Sequence, residues 1–299
     1  MSLNLRHSGL PLAVWLPVYP RGLRYNFGVN RSRYLPERED LSVLMAVILL
    51  AYAIARFVQA PGWSLAINLA GVYLPLQINI NTVVSVLVAA LAASGADWLL
   101  RSHPRFGERS SFSHLLLPAL TAWVISLPLA NLPLSPFWWA AFVGSGLLLL
   151  FVLLAEYVSV EREDQFYSLV SLVLSGIAYS LFLILAISLK ALTIRLILTM
   201  PALAVGTLLI SLRVQLLRAA REVQPAHLAA IVFITLQIAA ALHYLPLPAV
   251  AYGLGLLGLV YALNSFLAAI SLGQDARAAA REPLVALGLF WLLAVITSL

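Results

Sequence analysis

The chain has 299 residues, of which 62% are hydrophobic and only 10% charged, with a formal net charge of +6. A soluble domain usually carries about 25% charged residues, so this composition excludes an ordinary water-soluble fold. The chain has no cysteine, which excludes disulfides and thiolate chemistry. Its arginines do not gather in one solvated patch, so no nucleic-acid partner is expected.

Residues 1–40 are predicted to form a basic, aromatic, cytoplasmic N-terminal arm. Its prolines argue against a long helix. Arginine and tyrosine together suit anionic headgroups, and such an arm also suits contact with neighbouring membrane-protein subunits. We therefore expect membrane lipids and other subunits as partners of the arm. The residues assigned to this contact are Arg21, Arg24, Tyr25, Arg31, Arg33 and Tyr34.

Apolar runs of membrane-spanning length follow the arm. Backbone groups in bilayer hydrocarbon must pair within their own segment, so continuous runs of this length predict helices. The fold class is therefore all-α, a polytopic transmembrane helical bundle. The uncharged stretch 61–79 ends in alternating residues, which predicts an extended or interfacial segment. About nine spans are predicted, at 41–60, 81–101, 113–131, 137–159, 166–189, 192–214, 227–244, 248–272 and 283–298.

The distribution of arginine predicts the orientation of the spans. If the arm is cytoplasmic, fifteen of the seventeen arginines lie on the cytoplasmic side, including Arg213 and Arg218 in one loop. The intervening loops near 61–79, 131–136 and 244–248 carry no charge. This is the positive-inside pattern. We therefore predict a multi-pass protein of a bacterial inner (plasma) membrane, with the N-terminus cytoplasmic and the C-terminus outside.

Several short motifs occur twice. The acidic stretches 37–40 and 161–164 each precede a span, and Leu-Pro-Leu occurs at 132–134 and 245–247. This spacing indicates a parallel four-plus-four repeat with a ninth span added. The units would be 41–160, 161–275 and 276–299. The alternative is that apolar helices with charged ends resemble one another through composition alone.

Three cations break the charge asymmetry. Lys190, Arg195 and Arg56 lie near the outer ends of their spans and are candidates for an anion or lipid-phosphate site. The favoured alternative is that these side chains reach to the headgroups while their stems stay in lipid.

The acids of the spans lie near the cytoplasmic surface. Asp97 precedes Arg101 by four residues, so the two can pair on one helix face. Glu156 lies about one turn from the cytoplasmic end of its span. Without an acid near the midplane, proton-coupled transport and metal-dependent prenyl chemistry are disfavoured, and no catalytic or metal site is predicted.

His114 and His227 open the third and seventh spans on the same side. Two facing histidines can ligate a haem, and one can hold a chlorophyll-type pigment. The favoured alternative is an interfacial role, bonded to backbone or headgroups, so bound lipids are the only accessory molecules we expect. Gly253, Gly255 and Gly258 have dinucleotide-fingerprint spacing but lie in an apolar span, where small residues let helices pack closely.

Residues 97–104, 114–123 and the pair Glu156-Tyr157 resemble an uncharacterised family of bacterial polytopic membrane proteins. The resemblance implies the fold and no activity. Our first hypothesis is a non-catalytic integral membrane subunit or scaffold of a larger complex, with bioenergetic complexes among the candidates. The alternative is a transporter or flippase for an anionic lipid or small anion, using a cleft between the two halves. A third hypothesis, an intramembrane enzyme, requires polar side chains that converge on one cavity.

Overall fold

A computed structural model describes residues 36, 38–58, 63–69, 72–78, 80–102, 111–160, 167–193, 195–218 and 223–299. The six residues assigned to the contact surface of the N-terminal arm lie outside these ranges.

Within the described ranges, nine helices are long and apolar enough to cross a membrane. The predicted polytopic helical bundle is therefore confirmed, and the chain is a multi-pass membrane protein. The helices are α1 (Arg38–Phe57), α2 (Ile80–Arg101), α3 (Phe112–Asn131), α4 (Pro136–Val158), α5 (Tyr167–Ala191), α6 (Leu196–Arg218), α7 (Pro225–His243), α8 (Ala249–Ser271) and α9 (Ala276–Ile296).

A two-stranded hairpin joins α1 to α2. Strand β1 (Trp63–Leu69) pairs antiparallel with β2 (Val72–Ile78), in a register that sets Trp63 opposite Ile78 and Leu69 opposite Val72. The prediction of an extended segment in 61–79 is confirmed. The hairpin is an addition to the all-α class, which holds for the membrane-spanning part.

At two helix ends, polar turns extend the helix beyond the predicted apolar span. Helix α9 begins at Ala276 rather than at 283, and the side chain of Asp275 accepts a hydrogen bond from the amide of Arg277 as its N-cap. Helix α6 continues to Arg218. The assignment of Arg213 and Arg218 to a loop was therefore wrong, since both belong to α6.

Among the described residues, the apolar core has two large parts. One part lies among α1–α4 and is centred on Ile48, Val88, Leu149 and Trp138, whose indole nitrogen donates to the carbonyl of Leu129 at 3.0 Å. The other part spans α3–α8 and crosses the boundary between the predicted halves. Its fully buried members include Leu117 and Val124 of α3, Leu174 and Phe182 of α5, and Leu203 and Ile210 of α6.

Corresponding helices contact one another in the two predicted halves. In the first half α1 contacts α2 and α4, α2 contacts α3 and α4, and α3 contacts α4, and α1 also contacts α3, a pair without a comparable α5–α7 contact in the second half. The other five pairs recur in the second half between α5, α6, α7 and α8, while α9 packs mainly on α8. A parallel repeat predicts this pattern of neighbours. The duplication itself stays a prediction that superposition of the two halves would test.

Close packing of α8 on its neighbours depends on glycine. A Cβ atom added at Gly258 would lie 2.6 Å from the Cβ of Phe290 on α9, and one added at Gly253 would lie 2.7 Å from Ile187 on α5. The small residues of this span therefore permit close helix approach, as the sequence predicts.

Candidate functional site

Most polar groups buried in the described residues lie toward one end of the bundle. Successive spans run in opposite directions, so the ends of α2, α4, α6 and α8 share this end with the starts of α3, α5, α7 and α9. It carries Arg101, Arg213, Arg218, Arg277 and Arg281. We call it the arginine-rich end.

A charged side chain from each of α4 and α6 is buried at this end. Glu156 and Arg213 are 1% and 2% exposed. The Nε atom of Arg213 donates to Oε1 of Glu156 at 3.0 Å, and Nη2 of Arg213 donates to Oε2. This bidentate arrangement is the strongest geometry for an arginine–carboxylate pair, and it offsets the cost of removing both charges from water.

Two further side chains complete this buried charge cluster, which we define as Glu156, Arg213, His114 and Ser159. Nδ1 of His114 lies 2.9 Å from Oε2 of Glu156. The hydroxyl of Ser159 donates to the backbone carbonyl of Glu156 at 2.9 Å. The cluster therefore connects α3 and α4 of the first half with α6 of the second.

The sequence did not reveal this cluster. It placed Glu156 near the end of its span, which is correct, and Arg213 in a loop, which is wrong. The two residues are 57 positions apart, so no helical spacing could pair them. A glutamate in an apolar span was the available signal, because such a residue needs a partner.

A second group of buried polar side chains lies between α6 and α8. Nδ2 of Asn264 donates to the hydroxyl of Ser211 at 3.0 Å, and Nε2 of Gln215 donates to Oδ1 of Asn264 at 3.4 Å. These three side chains are at most 9% exposed. Their hydrogen bonds satisfy polar groups that would otherwise face hydrocarbon.

Gln215 of this group also lines a cleft of about 270 Å³ between α6, α7, α8 and α9. We call it the α6–α9 cleft. Nη1 of Arg218 donates to the hydroxyl of Ser265 at 3.2 Å, and Oε1 of Glu282 accepts from the hydroxyl of Tyr261 at 3.0 Å. The polar side chains of its lining include Gln215, Arg218, His227, Ser265, Gln274 and Glu282.

Lys190 lies at the other end of the bundle. Its ammonium donates to the carbonyl of His243 at 2.9 Å and to that of Leu245 at 3.4 Å. It also lies 5.2 Å from the ring centre of Tyr252. Lys190 therefore satisfies carbonyls at the C-terminal end of α7, the end where a cation is favoured.

The other two predicted anion-site residues lie elsewhere. Arg195 is exposed just before α6, and Arg56 lines a small cleft with Asn81 and Ser126 in the first half. Among the described residues, no hydrogen bond or ion pair connects Lys190, Arg195 and Arg56. An anion site at these residues stays a prediction.

The two candidate haem or pigment ligands have different surroundings. His114 belongs to the buried charge cluster, whereas His227 lines the α6–α9 cleft. Over the described ranges no group of three or more His, Asp or Glu could hold a metal ion. Pigment ligation by His114 or His227 stays a prediction.

Comparison with known proteins assigns the family. Residues 60–297 match the profile of DUF5656, which is described as a protein of unknown function. The chain belongs to this family. The predicted resemblance to an uncharacterised family is thus confirmed. No curated protein and no solved structure matches the chain.

The DUF5656 match contains every residue of the buried charge cluster and of the α6–α9 cleft, whereas Arg56 and the N-terminal arm precede it. Because the family is described as one of unknown function, membership implies no activity.

Proposed function

We propose that this DUF5656 protein is a non-catalytic integral membrane subunit or scaffold of a larger membrane assembly. One observation carries the proposal: the contact surface between the two four-helix halves is closed. We call this surface the seam, defined by the apolar contacts of α3 with α5 and α6 and by the Glu156–Arg213 pair.

The apolar part of the seam is filled with side chains. Leu117 and Val124 of α3, together with Phe182 of α5 and Ile210 of α6, belong to one buried cluster and are 0% exposed. Packed interiors of this kind resist sliding, because each displaced side chain loses its dispersion contacts. The two halves therefore behave as one body in this region.

The polar part of the seam resists opening more strongly. Glu156 is on α4 and Arg213 is on α6, so any movement that separates the halves there would break the bidentate pair. Leaving one partner of a buried pair uncompensated costs about 3–5 kcal/mol. A transporter that alternates access by moving one half against the other would incur this cost in every cycle.

The alternative of a transporter or flippase requires a hydrated cleft between the halves that reaches Lys190, Arg195 or Arg56. The ammonium of Lys190 is instead bonded to two carbonyls of the α7 end. This arrangement favours a fixed structural role for that residue. Transport can be tested with a variant in which Lys190 and Arg195 are replaced with Gln. If these cations bind the substrate, this variant should show no uptake or lipid scrambling in proteoliposomes.

Native extraction tests the subunit proposal. The chain, tagged at its C-terminus, would be extracted into polymer-bounded native discs and identified together with its companions by mass spectrometry. We expect a larger assembly with a defined membrane protein, recovered again when that companion carries the tag. A chain that is recovered alone in both native discs and mild detergent would contradict the proposal.

A further inference from the structure

The α6–α9 cleft holds opposite charges that do not neutralise each other. Arg218 and Glu282 both line it, yet within the described part of the chain neither side chain takes part in a salt bridge. Each has one neutral partner, Ser265 for the guanidinium and Tyr261 for the carboxylate. Both therefore keep donor or acceptor capacity for a further group.

We infer that this cleft binds a zwitterion that carries a phosphate and a primary amine, the chemistry of an ethanolamine phosphate headgroup. The phosphate would bind Arg218 and the amine would bind Glu282. A planar guanidinium suits phosphate oxygens, and a primary ammonium supplies the donors that a carboxylate accepts. The inference does not depend on the proposed scaffold function.

The size and lining of the cleft agree with this ligand class. Pockets for drug-sized molecules usually have about 300–1,000 Å³, and this cleft, at about 270 Å³, suits a smaller group such as a headgroup. The neutral lining supplies amides from Gln215 and Gln274, which can bond to phosphodiester or glycerol oxygens. A site with both charges and amides recognises a polar zwitterion better than a simple anion.

The position of the cleft favours a lipid as the source of this headgroup. Helix α8 ends at Ser271 and α9 begins at Ala276, so the cleft lies where these spans leave the apolar layer. Its lining combines the polar side chains with Leu267, Leu272 and Pro283. Headgroups meet acyl chains at this depth. A free ethanolamine phosphate compound has the same charges and is the second source to be tested.

Lipid retention tests the inference. The full chain would be placed in nanodiscs of equimolar phosphatidylethanolamine and phosphatidylglycerol, and the lipids that stay bound would be counted by native mass spectrometry. We expect preferential retention of phosphatidylethanolamine. Arg218→Gln should lower that retention about tenfold, the effect of losing one charge-assisted hydrogen bond. Glu282→Gln should remove the preference over phosphatidylglycerol, while its amide oxygen can still accept from Tyr261.

Arg277→Gln is the matched control, because Arg277 is exposed at the same end of the bundle and does not line the cleft. This variant should retain phosphatidylethanolamine as the unaltered chain does. If Arg218→Gln fails to fold, Glu282→Gln and Arg218→Lys decide the matter, since Arg218→Lys keeps the charge and should preserve most of the binding.

Free glycerophosphoethanolamine distinguishes the two sources. Displacement of the lipid by this compound would assign the site to a soluble ligand of the same chemistry, and resistance to displacement would assign it to the lipid. Equal retention of both lipids by the unaltered chain would overturn the inference. Equal losses in Arg218→Gln and Arg277→Gln would overturn it as well.

Discussion

Helix α6 carries two arginines, five residues apart, with opposite surroundings. Arg213 is 2% exposed and forms a bidentate pair with Glu156, whereas Arg218 is exposed and donates to the neutral hydroxyl of Ser265. The first guanidinium belongs to a closed structural contact. The second lines an open cleft.

The difference between these two arginines shows how position decides the role of a charge in a membrane bundle. A charge surrounded by other helices must be neutralised within the protein, since hydrocarbon and packed apolar side chains provide no counter-ion and no hydrogen bond. A charge one turn nearer the helix end can use water or headgroups. The buried charge cluster is therefore neutralised within the bundle, whereas the charges of the α6–α9 cleft face its open space.

The largest expected effect comes from breaking the buried pair. Arg213→Met should lower the free energy of unfolding by about 3–5 kcal/mol, because Glu156 would lose its guanidinium partner inside the bundle. Arg218→Met, the matched change on the same helix, should alter it by less than about 0.5 kcal/mol. Denaturation of the detergent-solubilised chain, followed by circular dichroism, measures both.

The double variant Glu156→Leu/Arg213→Met sharpens the same comparison. Removing both charges leaves no uncompensated carboxylate, so this variant should regain most of the stability that Arg213→Met loses. Equal losses for Arg213→Met and Arg218→Met would contradict the distinction between the two arginines.

The packing of α8 on α9 should produce the next effect. Gly258→Ala would place a methyl group 2.6 Å from the Cβ of Phe290, an atom that cannot move without its backbone, so we expect a loss of about 1–3 kcal/mol in unfolding free energy. Gly288→Ala, where no atom lies within 4 Å, should be neutral or slightly stabilising. A destabilised Gly288→Ala would show that α9 contacts a further neighbour at this position.

A smaller effect is expected at the far end of the bundle. Lys190→Met removes two hydrogen bonds to the α7 end from a partly exposed ammonium, which should cost about 1 kcal/mol. Amide exchange of residues 243–245 and of Leu247 should accelerate in this variant and stay unchanged in Arg195→Met. If amide exchange did not change in Lys190→Met, the role of Lys190 as a cap of α7 would be contradicted.

The smallest effect on stability is expected at the exposed pair Asp97–Arg101. Nε of Arg101 lies 2.8 Å from Oδ2 of Asp97. Exposed ion pairs are screened by water and salt. Arg101→Gln should therefore leave the melting temperature of the detergent-solubilised chain unchanged within error. A clear drop would indicate that Arg101 has a partner that the described residues do not show.

The sequence predicted the membrane-spanning architecture well, because each span is a local property of an apolar run. Eight of the nine predicted spans begin within four residues of the observed helix. Helix α9 was the exception, because the cap at Asp275 adds polar turns that hydropathy cannot detect. The extended segment before α2 was also recognised, from its alternating residues.

Pairs of side chains were predictable only within one helix. Asp97 and Arg101 are four residues apart, and their predicted pairing is confirmed. Glu156 and Arg213 come from different helices, as do Asn264 and Ser211, so their pairing depends on how each helix is rotated against its neighbours. Weak amphipathicity in apolar spans hides that rotation, and the cleft residues could not be grouped for the same reason.

We propose that the seam holds the two halves as one rigid body. Because the chain lacks cysteine, labels at Leu134→Cys and Leu245→Cys would report one distance between exposed loop sites, one in each half. Pulsed electron paramagnetic resonance in nanodiscs should give a single narrow distance distribution. Two separate distance populations, as alternating access would produce, would contradict the claim.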